Sequence, residues 1–340
     1  MKMEDSGLTM ASASPSILHS PSSILAPVFL AGPTAVGKSA VALLLAERLN
    51  GEIISVDSMQ VYRGLDLGTA KPTTADRARV PHHLIDVVEL DAGFDAAEFA
   101  RRAEIAVKEI QSRGCVPIFC GGTGFYFKAY LEGLGEAPPA DAAVRAELAA
   151  TPLAELLREL EQRDPVAFAK IDRQNPRRVI RALEVIRITG KPFSQQRSDW
   201  SHAGRNPESR IQNPESSFIA FHRASADLRA RINARVEAMF RAGLVAETEH
   251  LLTRGLAKNV TAMQAIGYRQ VVEHLRGERG LAETIALVQT RTWQFARRQM
   301  TWYRRQAGLK WLAVASETTA DNLADQLAEA YRLASLNQRP

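Results

Sequence analysis

The chain has 340 residues, of which 46% are hydrophobic, 24% charged and 6% aromatic, and its formal net charge is +5. This composition is typical of a soluble globular protein and excludes a collagen-like, wholly disordered or disulfide-rich chain. No uninterrupted apolar stretch is long enough to span a bilayer, which argues against an integral membrane protein. The length predicts one large domain with an insertion, or two domains.

The first 26 residues are rich in Ser, Pro and Ala and predict a disordered tail. Acidic Glu4 and Asp5 argue against a secretory signal, and the lack of arginine argues against a transit peptide. The two cysteines, Cys115 and Cys120, lie in one apolar run whose strand periodicity points them to opposite faces. We therefore expect reduced core thiols in a cytoplasmic protein.

Strand and helix signals alternate from Pro27 onward. Apolar runs predict strands at 28–31, 52–57, 83–88 and 115–120, with helices at 40–49 and 96–113. Asp95 and Glu98 form a capping-box-like start for the second helix. Alternation of this kind predicts an α/β fold with a parallel sheet and a ligand at the carboxyl ends of its strands.

The pattern changes near residue 137, after which only helical signals occur up to residue 200. Asp164-Pro165 and Asn175-Pro176 are predicted helix starts within this segment. We interpret 137–200 as a helical insertion and 201–216 as a polar loop, between core segments 27–136 and 217–340. The last segment predicts strands at 218–223 and 310–314 and helices at 227–242, 244–254, 262–276, 281–306 and 320–335.

A phosphate-loop motif, G-x-x-x-x-G-K-[ST], follows the first strand and opens the first helix. Its residues are Gly32, Pro33, Thr34, Ala35, Val36, Gly37, Lys38 and Ser39. The glycines let backbone N–H groups converge on phosphate oxygens, and the helix N-terminus adds positive potential. Lys38 is expected to reach the outer phosphate and Ser39 to hold Mg²⁺. A tight turn that merely caps a helix would not require the Lys-Ser pair.

A phosphate loop does not by itself define a reaction. Nucleoside triphosphatases pair the loop with an Asp that organises Mg²⁺, usually at the end of a neighbouring strand. Here the strand at 115–120 ends in Cys120, although Asp86 offers an alternative carboxylate. Asp57 closes the second strand and is the other carboxylate expected near the loop; it can equally be an N-cap or turn residue.

Two clusters of basic residues contain no acid. The first comprises Arg173, Arg177, Arg178 and Arg181, and the second spans 285–310, where aromatic residues are interleaved. Such clusters are often only solvated faces, but they also suit the phosphates of a nucleic acid. On a helix, Leu281, Ile285, Val288, Phe295 and Trp302 share a face, so we expect the aromatics to be partly core.

Several long motifs occur in a fixed order along the chain. They are GPTAVGKS (32–39), ISVDSMQVYRGLDLGTAKPT (54–73), HHLIDV (82–87), GGTGFYFKAYL (121–131), NPRRVIRALEVIRITGK (175–191), AIGYRQ (265–270) and RRQMTWYR (297–304). Together they resemble the tRNA dimethylallyltransferase family. The resemblance implies a P-loop nucleotide-kinase-like core and a helical insertion that grips the anticodon stem of tRNA. It also implies transfer of a dimethylallyl group from dimethylallyl diphosphate to N6 of adenine 37. The phosphate loop adds Mg²⁺ as the expected cofactor, and we expect a monomer because one tRNA fills one channel.

Specific residues acquire expected roles from this resemblance. Asp57, the carboxylate that position also favours, would be the general base on N6, and Thr123 would donate to the bridging oxygen of the diphosphate. Arg235 would contact the diphosphate. The segments expected to contact tRNA contain Asp57, Ser58, Met59, Gln60, Thr123, Arg145, Arg177, Arg178, Val179, Ile180, Arg181, Gln264, Ala265, Ile266, Gly267, Tyr268, Arg269, Arg297, Arg298, Gln299, Met300, Thr301, Trp302, Tyr303 and Arg304.

Three alternative functions remain open at the level of sequence. A small-molecule kinase would bind ATP in the loop and use the insertion as a lid. An adenylate isopentenyltransferase would prenylate a free nucleotide and would need neither arginine cluster nor AIGYRQ. A non-catalytic RNA-binding module would not need the intact Gly-Lys-Ser sequence of the loop.

Overall fold

The structure, a computed structural model, describes residues 25–134, 138–196, 218–306 and 308–336. Most of the predicted tail and the whole loop predicted at 201–216 lie outside the described residues. The last two residues assigned to the tail, Leu25 and Ala26, are described and anchored. Leu25 accepts a hydrogen bond from the side chain of Gln111 at 2.7 Å, and Ala26 accepts one from Tyr331 at 2.9 Å.

Six strands of the described residues form one parallel sheet in the order β3-β2-β4-β1-β5-β6. Their bounds are β1 (Val28–Ala31), β2 (Gly51–Val56), β3 (His82–His83), β4 (Val116–Gly121), β5 (Phe218–His222) and β6 (Lys310–Ala313). The helices of the core are α1 (Lys38–Leu49), α2 (Thr74–Arg79), α3 (Ala96–Ser112), α4 (Gly124–Glu132), α10 (Ser225–Arg241), α11 (Leu244–Thr253), α12 (Tyr268–Leu275), α13 (Leu281–Arg304) and α14 (Ala320–Leu336).

Hydrophobic clusters cover both faces of the sheet, because alternate residues of each strand point to opposite sides. Phe29 packs on the side of α3 and α4, where its ring stacks on Phe119 at 4.9 Å. Leu30 faces α1, α10 and α14. Cys115 and Cys120 contact opposite clusters, and Cys115 is only half-buried. The predicted α/β class with a parallel sheet is confirmed.

Helices α5 (Ala142–Ala150), α6 (Leu153–Arg163), α7 (Pro165–Lys170), α8 (Pro176–Thr189) and α9 (Phe193–Gln196) lie between α4 and β5. They enclose a third hydrophobic cluster that includes Leu148, Leu160 and Leu183. Asp164 caps α7 as its sequence predicts, accepting a hydrogen bond from the Ala167 amide at 2.9 Å. The part of the predicted insertion that the structure describes is therefore helical, while the domain boundaries themselves stay a prediction.

The predicted strand at 83–88 is wrong for most of its length, because β3 contains only His82 and His83. Leu84 and Asp86 adopt left-handed backbone conformations, with φ of 61° and 56°, which end the extended chain. The predicted helix at 262–276 is likewise broken at Gly267, whose φ is 102°, so that α12 begins only at the following residue. Helices α2 and α4 were not predicted.

Candidate active site

The phosphate loop lies at the carboxyl end of β1, near the middle of the sheet. Gly32, Ala35 and Gly37 have positive φ, the kind of backbone curl that forms anion-binding concavities. A Cβ at Gly32 would lie 2.7 Å from the carbonyl oxygen of Phe221, so no larger residue fits there. The loop is thus pressed against β5 and shaped to receive an anion.

Lys38 is buried at the first turn of α1, with 8% of its surface exposed. Its ammonium donates a 2.7 Å hydrogen bond to the carbonyl of Pro33 in the same loop. The pKa of Lys38 is lowered to about 8, chiefly by burial and in part by Arg235, while Cys120 and Asp57 oppose the change. A lysine held in this way gains most from an arriving phosphate, which would restore its full charge.

Three arginines form hydrogen bonds with the loop, two from α10 and one from the short connection between β5 and α10. The Arg235 guanidinium donates to the Thr34 hydroxyl at 3.3 Å, and its contact with a diphosphate stays a prediction. Arg231 donates to the Ala35 carbonyl at 3.0 Å and Arg223 to the Val36 carbonyl at 2.9 Å. Sequence reasoning missed both, although Arg231 and Arg235 lie one helical turn apart and therefore share a face.

Asp57 follows β2 at the same edge of the sheet. Its Oδ1 accepts hydrogen bonds from the amides of Met59 at 2.8 Å and Gln60 at 3.2 Å, so the carboxylate also closes a turn. Its other oxygen accepts no hydrogen bond from the described residues. Burial raises the pKa of Asp57 above its usual value, although the two amide bonds and the charge of Lys38 oppose this. A carboxylate with a raised pKa and a free oxygen is suited to accept a proton.

Thr123 lies after β4 and faces the turn that Asp57 begins. Its hydroxyl accepts a 3.2 Å hydrogen bond from the Ser58 amide, and its own amide donates to Val56 at 3.1 Å. A Cβ at Gly121 would lie 2.1 Å from the carbonyl oxygen of Val56, so only glycine lets the two strand ends approach this closely. The structure therefore brings together the three predicted reactive groups, on Lys38, Asp57 and Thr123.

The loop that follows Asp57 is fixed by buried polar contacts. The Gln60 side chain accepts from Ser55 at 2.8 Å and donates to Thr69 at 3.1 Å. The Lys71 ammonium, almost fully buried, pairs with Asp86 at 2.5 Å, and Arg77 pairs with the other oxygen of Asp86 at 2.7 Å. Asp86 is consequently committed to this network, which weakens its alternative role as the carboxylate of a kinase.

The residues expected to contact tRNA fall into exposed, half-buried and buried groups. Those that are exposed are Arg145, Arg177, Arg178, Gln264, Arg269, Arg297, Arg298, Thr301 and Arg304. Those that are half-buried are Asp57, Ser58, Met59, Gln60, Thr123, Ile180, Arg181, Ile266, Met300 and Trp302. Those that are buried are Val179, Ala265, Gly267, Tyr268, Gln299 and Tyr303. The segments still present basic surface, but the buried side chains face the protein interior.

Two of these arginines are tied to a buried carboxylate in the helical segment. Arg145 and Arg181 donate to the same oxygen of Glu184 at 2.8 and 2.7 Å, and the Asp141 amide binds the other oxygen at 2.9 Å. The Glu184 side chain has no exposed surface. Burial tends to raise the pKa of Glu184, but the hydrogen bonds from both arginines outweigh it and the pKa is lowered.

The buried face of α13 differs from the predicted one. It consists of Thr284, Val288, Ala296, Gln299 and Tyr303, so polar residues replace part of the expected apolar stripe. Trp302 is half-buried, as expected of a partly core aromatic, whereas Leu281 is 45% exposed and Phe295 36%, so the predicted buried face is wrong at these two positions. The Arg298 guanidinium lies 5.9 Å from the Phe295 ring centroid. Of the buried polar residues, Gln299 bonds loops of the candidate site, while the Thr284 hydroxyl donates to the Gly280 carbonyl at the start of its own helix.

Tyr268, in the AIGYRQ motif, contacts the same loop that follows Asp57. Its hydroxyl donates to Glu247 at 2.5 Å and accepts from the Gly68 amide at 3.1 Å. Glu247 also accepts from the amide of Leu67 at 3.0 Å. A Cβ at Gly68 would lie 2.4 Å from the tyrosine ring, so this glycine makes room for it. The motif thereby anchors the loop that follows Asp57.

Oxygen donors for a metal ion are few near the phosphate loop. Among the described residues, no group of three or more His, Cys, Asp or Glu side chains could hold a metal ion. Mg²⁺ commonly binds through one or two protein oxygens together with substrate phosphates and waters. The exposed Ser39 hydroxyl and the Asp57 carboxylate fit that mode, in which the substrate completes the site.

No helix in the described ranges is both long and apolar enough to cross a membrane. The fold and the site together define a P-loop-like α/β enzyme. A family model described as IPP transferase matches residues 60–306. The chain belongs to this family, which confirms the resemblance that its motifs indicate.

Individual relatives agree with this assignment. The tRNA dimethylallyltransferase of Halorhodospira halophila is 47% identical over 290 residues, covering 83% of this chain and 91% of that protein. That of Geobacter sulfurreducens is 43% identical over 289 residues, covering 84% and 91%.

Solved structures show the same fold. The full-length tRNA isopentenylpyrophosphate transferase of Bacillus halodurans is 34% identical with a TM-score of 0.65, and covers 92% of this chain and 99% of that chain. A eukaryotic dimethylallyltransferase acting on tRNA is 25% identical with a TM-score of 0.75, covering 92% and 80%.

Proposed function

We propose that this protein is a tRNA dimethylallyltransferase that transfers a dimethylallyl group from dimethylallyl diphosphate to N6 of adenine 37, beside the anticodon, and releases diphosphate. The observation that carries the proposal is the convergence of Lys38, Asp57 and Thr123 at one edge of the sheet. The similarity to enzymes named for this activity supports it.

The phosphate loop would hold the leaving group. Backbone amides of the loop, Lys38 and Arg235 would neutralise the charge that develops on diphosphate as the allylic carbon–oxygen bond breaks. Ser39 would hold Mg²⁺, which would supply further positive charge for the leaving group. The Thr123 hydroxyl would donate a hydrogen bond to the bridging oxygen of the diphosphate.

Asp57 would activate the acceptor. The adenine N6 is a weak nucleophile because its lone pair is delocalised into the ring. As the new N6–carbon bond forms, the free oxygen of Asp57 would accept the N6 proton. The adenine N6 can reach Asp57 only when the nucleotide turns out of the anticodon loop, which costs a few kcal/mol. The exposed arginines of α8 and α13 would bind the phosphates of the anticodon stem-loop.

A product assay separates this function from its alternatives. The protein is incubated with labelled dimethylallyl diphosphate, ATP, AMP and unmodified tRNA. We expect prenylated tRNA, while prenylated AMP would indicate a free-nucleotide transferase. Consumption of ATP with a phosphorylated product would indicate a kinase, and tRNA binding without any product would indicate a non-catalytic module.

Substitution of Asp57 tests its role in the reaction. We expect Asp57→Asn to lower single-turnover transfer by about 10²- to 10⁴-fold, because N6 loses its proton acceptor while the amide can still cap the turn. Diphosphate affinity, measured by calorimetry, should stay close to that of the unsubstituted enzyme. A near-normal transfer rate would remove Asp57 from the role.

A further inference from the structure

Gln299 of α13 bridges the two loops of the candidate site. Its Oε1 accepts a hydrogen bond from the Thr34 amide of the phosphate loop at 2.9 Å. Its Nε2 donates to the carbonyl of Gly122, beside Thr123, at 2.9 Å. The side chain is 7% exposed, so these bonds face little competition from water. The side-chain amide of Gln299 therefore links the phosphate loop to the loop that contains Thr123.

The need for glycine at position 122 is explained by this contact. Gly122 is not among the residues with positive φ, so backbone conformation does not require glycine there. A Cβ at Gly122 would lie 2.3 Å from Nε2 of Gln299, and no other residue's atom would come closer than 3.4 Å. A side chain at position 122 would therefore displace the Gln299 amide.

The rest of α13 keeps Gln299 in place. Trp302 packs against Gly124, where a Cβ would lie 2.2 Å from its ring. Tyr303, one turn beyond Gln299, is fully buried and lies perpendicular to Trp302, with ring centroids 5.1 Å apart. Gln299 and Trp302 therefore dock the helix on the loop at Gly122–Gly124, and Tyr303 packs behind Trp302.

We propose that Gln299 is a positioning residue that sets the spacing between the phosphate loop and Thr123. The proposal rests on the proposed function, in which the loop holds diphosphate and Thr123 meets its bridging oxygen. Gln299 would not touch the substrate. It would hold the two binding groups in the geometry that the breaking bond needs, and misplacement of such groups by about 1 Å can cost about 10²-fold in rate.

Substitutions at positions 299 and 122 test this role. Gln299→Met keeps the volume but removes both hydrogen bonds, and we expect kcat to fall about 10- to 100-fold while the Kd for tRNA is unchanged. Gly122→Ala should have a similar effect because its Cβ displaces the amide. The double variant Gly122→Ala with Gln299→Ala should be no slower than Gln299→Ala, since the clash is gone. Gln294→Ala, exposed on the same helix, is the matched control and should keep normal kcat.

A second measurement does not depend on catalysis. Hydrogen exchange at the Thr34 amide should be slow in the unsubstituted protein and clearly faster in Gln299→Met, with an unchanged unfolding midpoint. Normal kcat in Gln299→Met, multiplicative losses in the double variant, or unchanged exchange at Thr34 would each overturn the positioning role. Absence of prenyl transfer by the unsubstituted enzyme would instead overturn the proposed function, and the exchange result would still decide whether Gln299 holds the loop.

Discussion

At the scale of single residues, the site combines charged groups that burial disfavours. The pKa of Lys38 is lowered and that of Asp57 is raised, in both cases chiefly because the charged form is poorly solvated. A ligand that brings negative phosphates to Lys38 and a proton to Asp57 would offset the desolvation cost of both charged side chains. Strongly perturbed groups of this kind are concentrated at functional sites.

The lowered pKa of Lys38 predicts a pH dependence of diphosphate binding. Below about pH 8 the lysine is charged and ready to bind the anion, whereas above that pH the free enzyme must first take up a proton. Affinity for inorganic diphosphate should therefore fall as pH rises through that value, by up to about tenfold for each further pH unit. Calorimetric titration with inorganic diphosphate over a series of pH values measures this change in affinity.

The control for this dependence is Lys38→Met. It should bind diphosphate more weakly at neutral pH and show no loss of affinity around pH 8. An unsubstituted enzyme whose affinity stays constant across the same range would show that Lys38 does not titrate there.

At the scale of elements, the two sides of α13 have different contacts. Its inner side contacts the phosphate loop through Gln299, and the loop at Gly122–Gly124 through Gln299 and Trp302. Its outer side presents Arg297 and Arg298, which form no ion pair with any of the described residues. Unpaired arginines on a rigid helix retain their full hydrogen-bonding capacity for phosphates.

Charge reversal on this outer side tests its place in RNA binding. Arg297→Glu with Arg298→Glu should weaken tRNA binding, and the slope of log K against log salt should flatten by about 0.7 to 0.9 for each phosphate that the variant no longer neutralises. The same charge change on α3, Arg101→Glu with Lys108→Glu, is the matched control, because both side chains are exposed there. Unchanged affinity at low salt in the α13 variant would contradict the prediction.

At the scale of the whole molecule, the described chain contains three hydrophobic clusters, two on the faces of the sheet and one within the helical segment. Beside the third cluster, the buried Glu184 carboxylate accepts hydrogen bonds from Arg145, from Arg181 and from the backbone amide of Asp141, the N-cap of α5. These two arginines thus contribute to the stability of the helical segment, whatever they bind on RNA.

Removal of this carboxylate should destabilise the helical segment. We expect Glu184→Ala to lower the free energy of unfolding by about 1–3 kcal/mol, because several hydrogen bonds and an ion pair are removed from a buried position. The pKa of Glu184 is lowered in the folded state, so its stabilisation is present above its usual pKa of 4.5 and is lost as pH falls through the lowered value.

Urea unfolding at neutral and at acidic pH checks this expectation. The difference between Glu184→Ala and the unsubstituted protein should shrink at the acidic pH. A difference that does not depend on pH would mean that Glu184 stabilises the segment by packing rather than by its charge.

The sequence by itself determined the parallel α/β core, the phosphate loop and the end-of-strand position of Asp57, because these depend on local periodicity and on short spacings. Only the tertiary structure decided which polar groups meet across long separations. The hydrogen bonds of Gln299 with Thr34, of Tyr268 with Gly68 and of Arg231 with Ala35 each join residues about 200 or more positions apart. Helical periodicity put Phe295 on the partly buried face of α13, yet the helix buries Gln299 instead, because two loops whose backbone groups need hydrogen-bond partners lie beneath it.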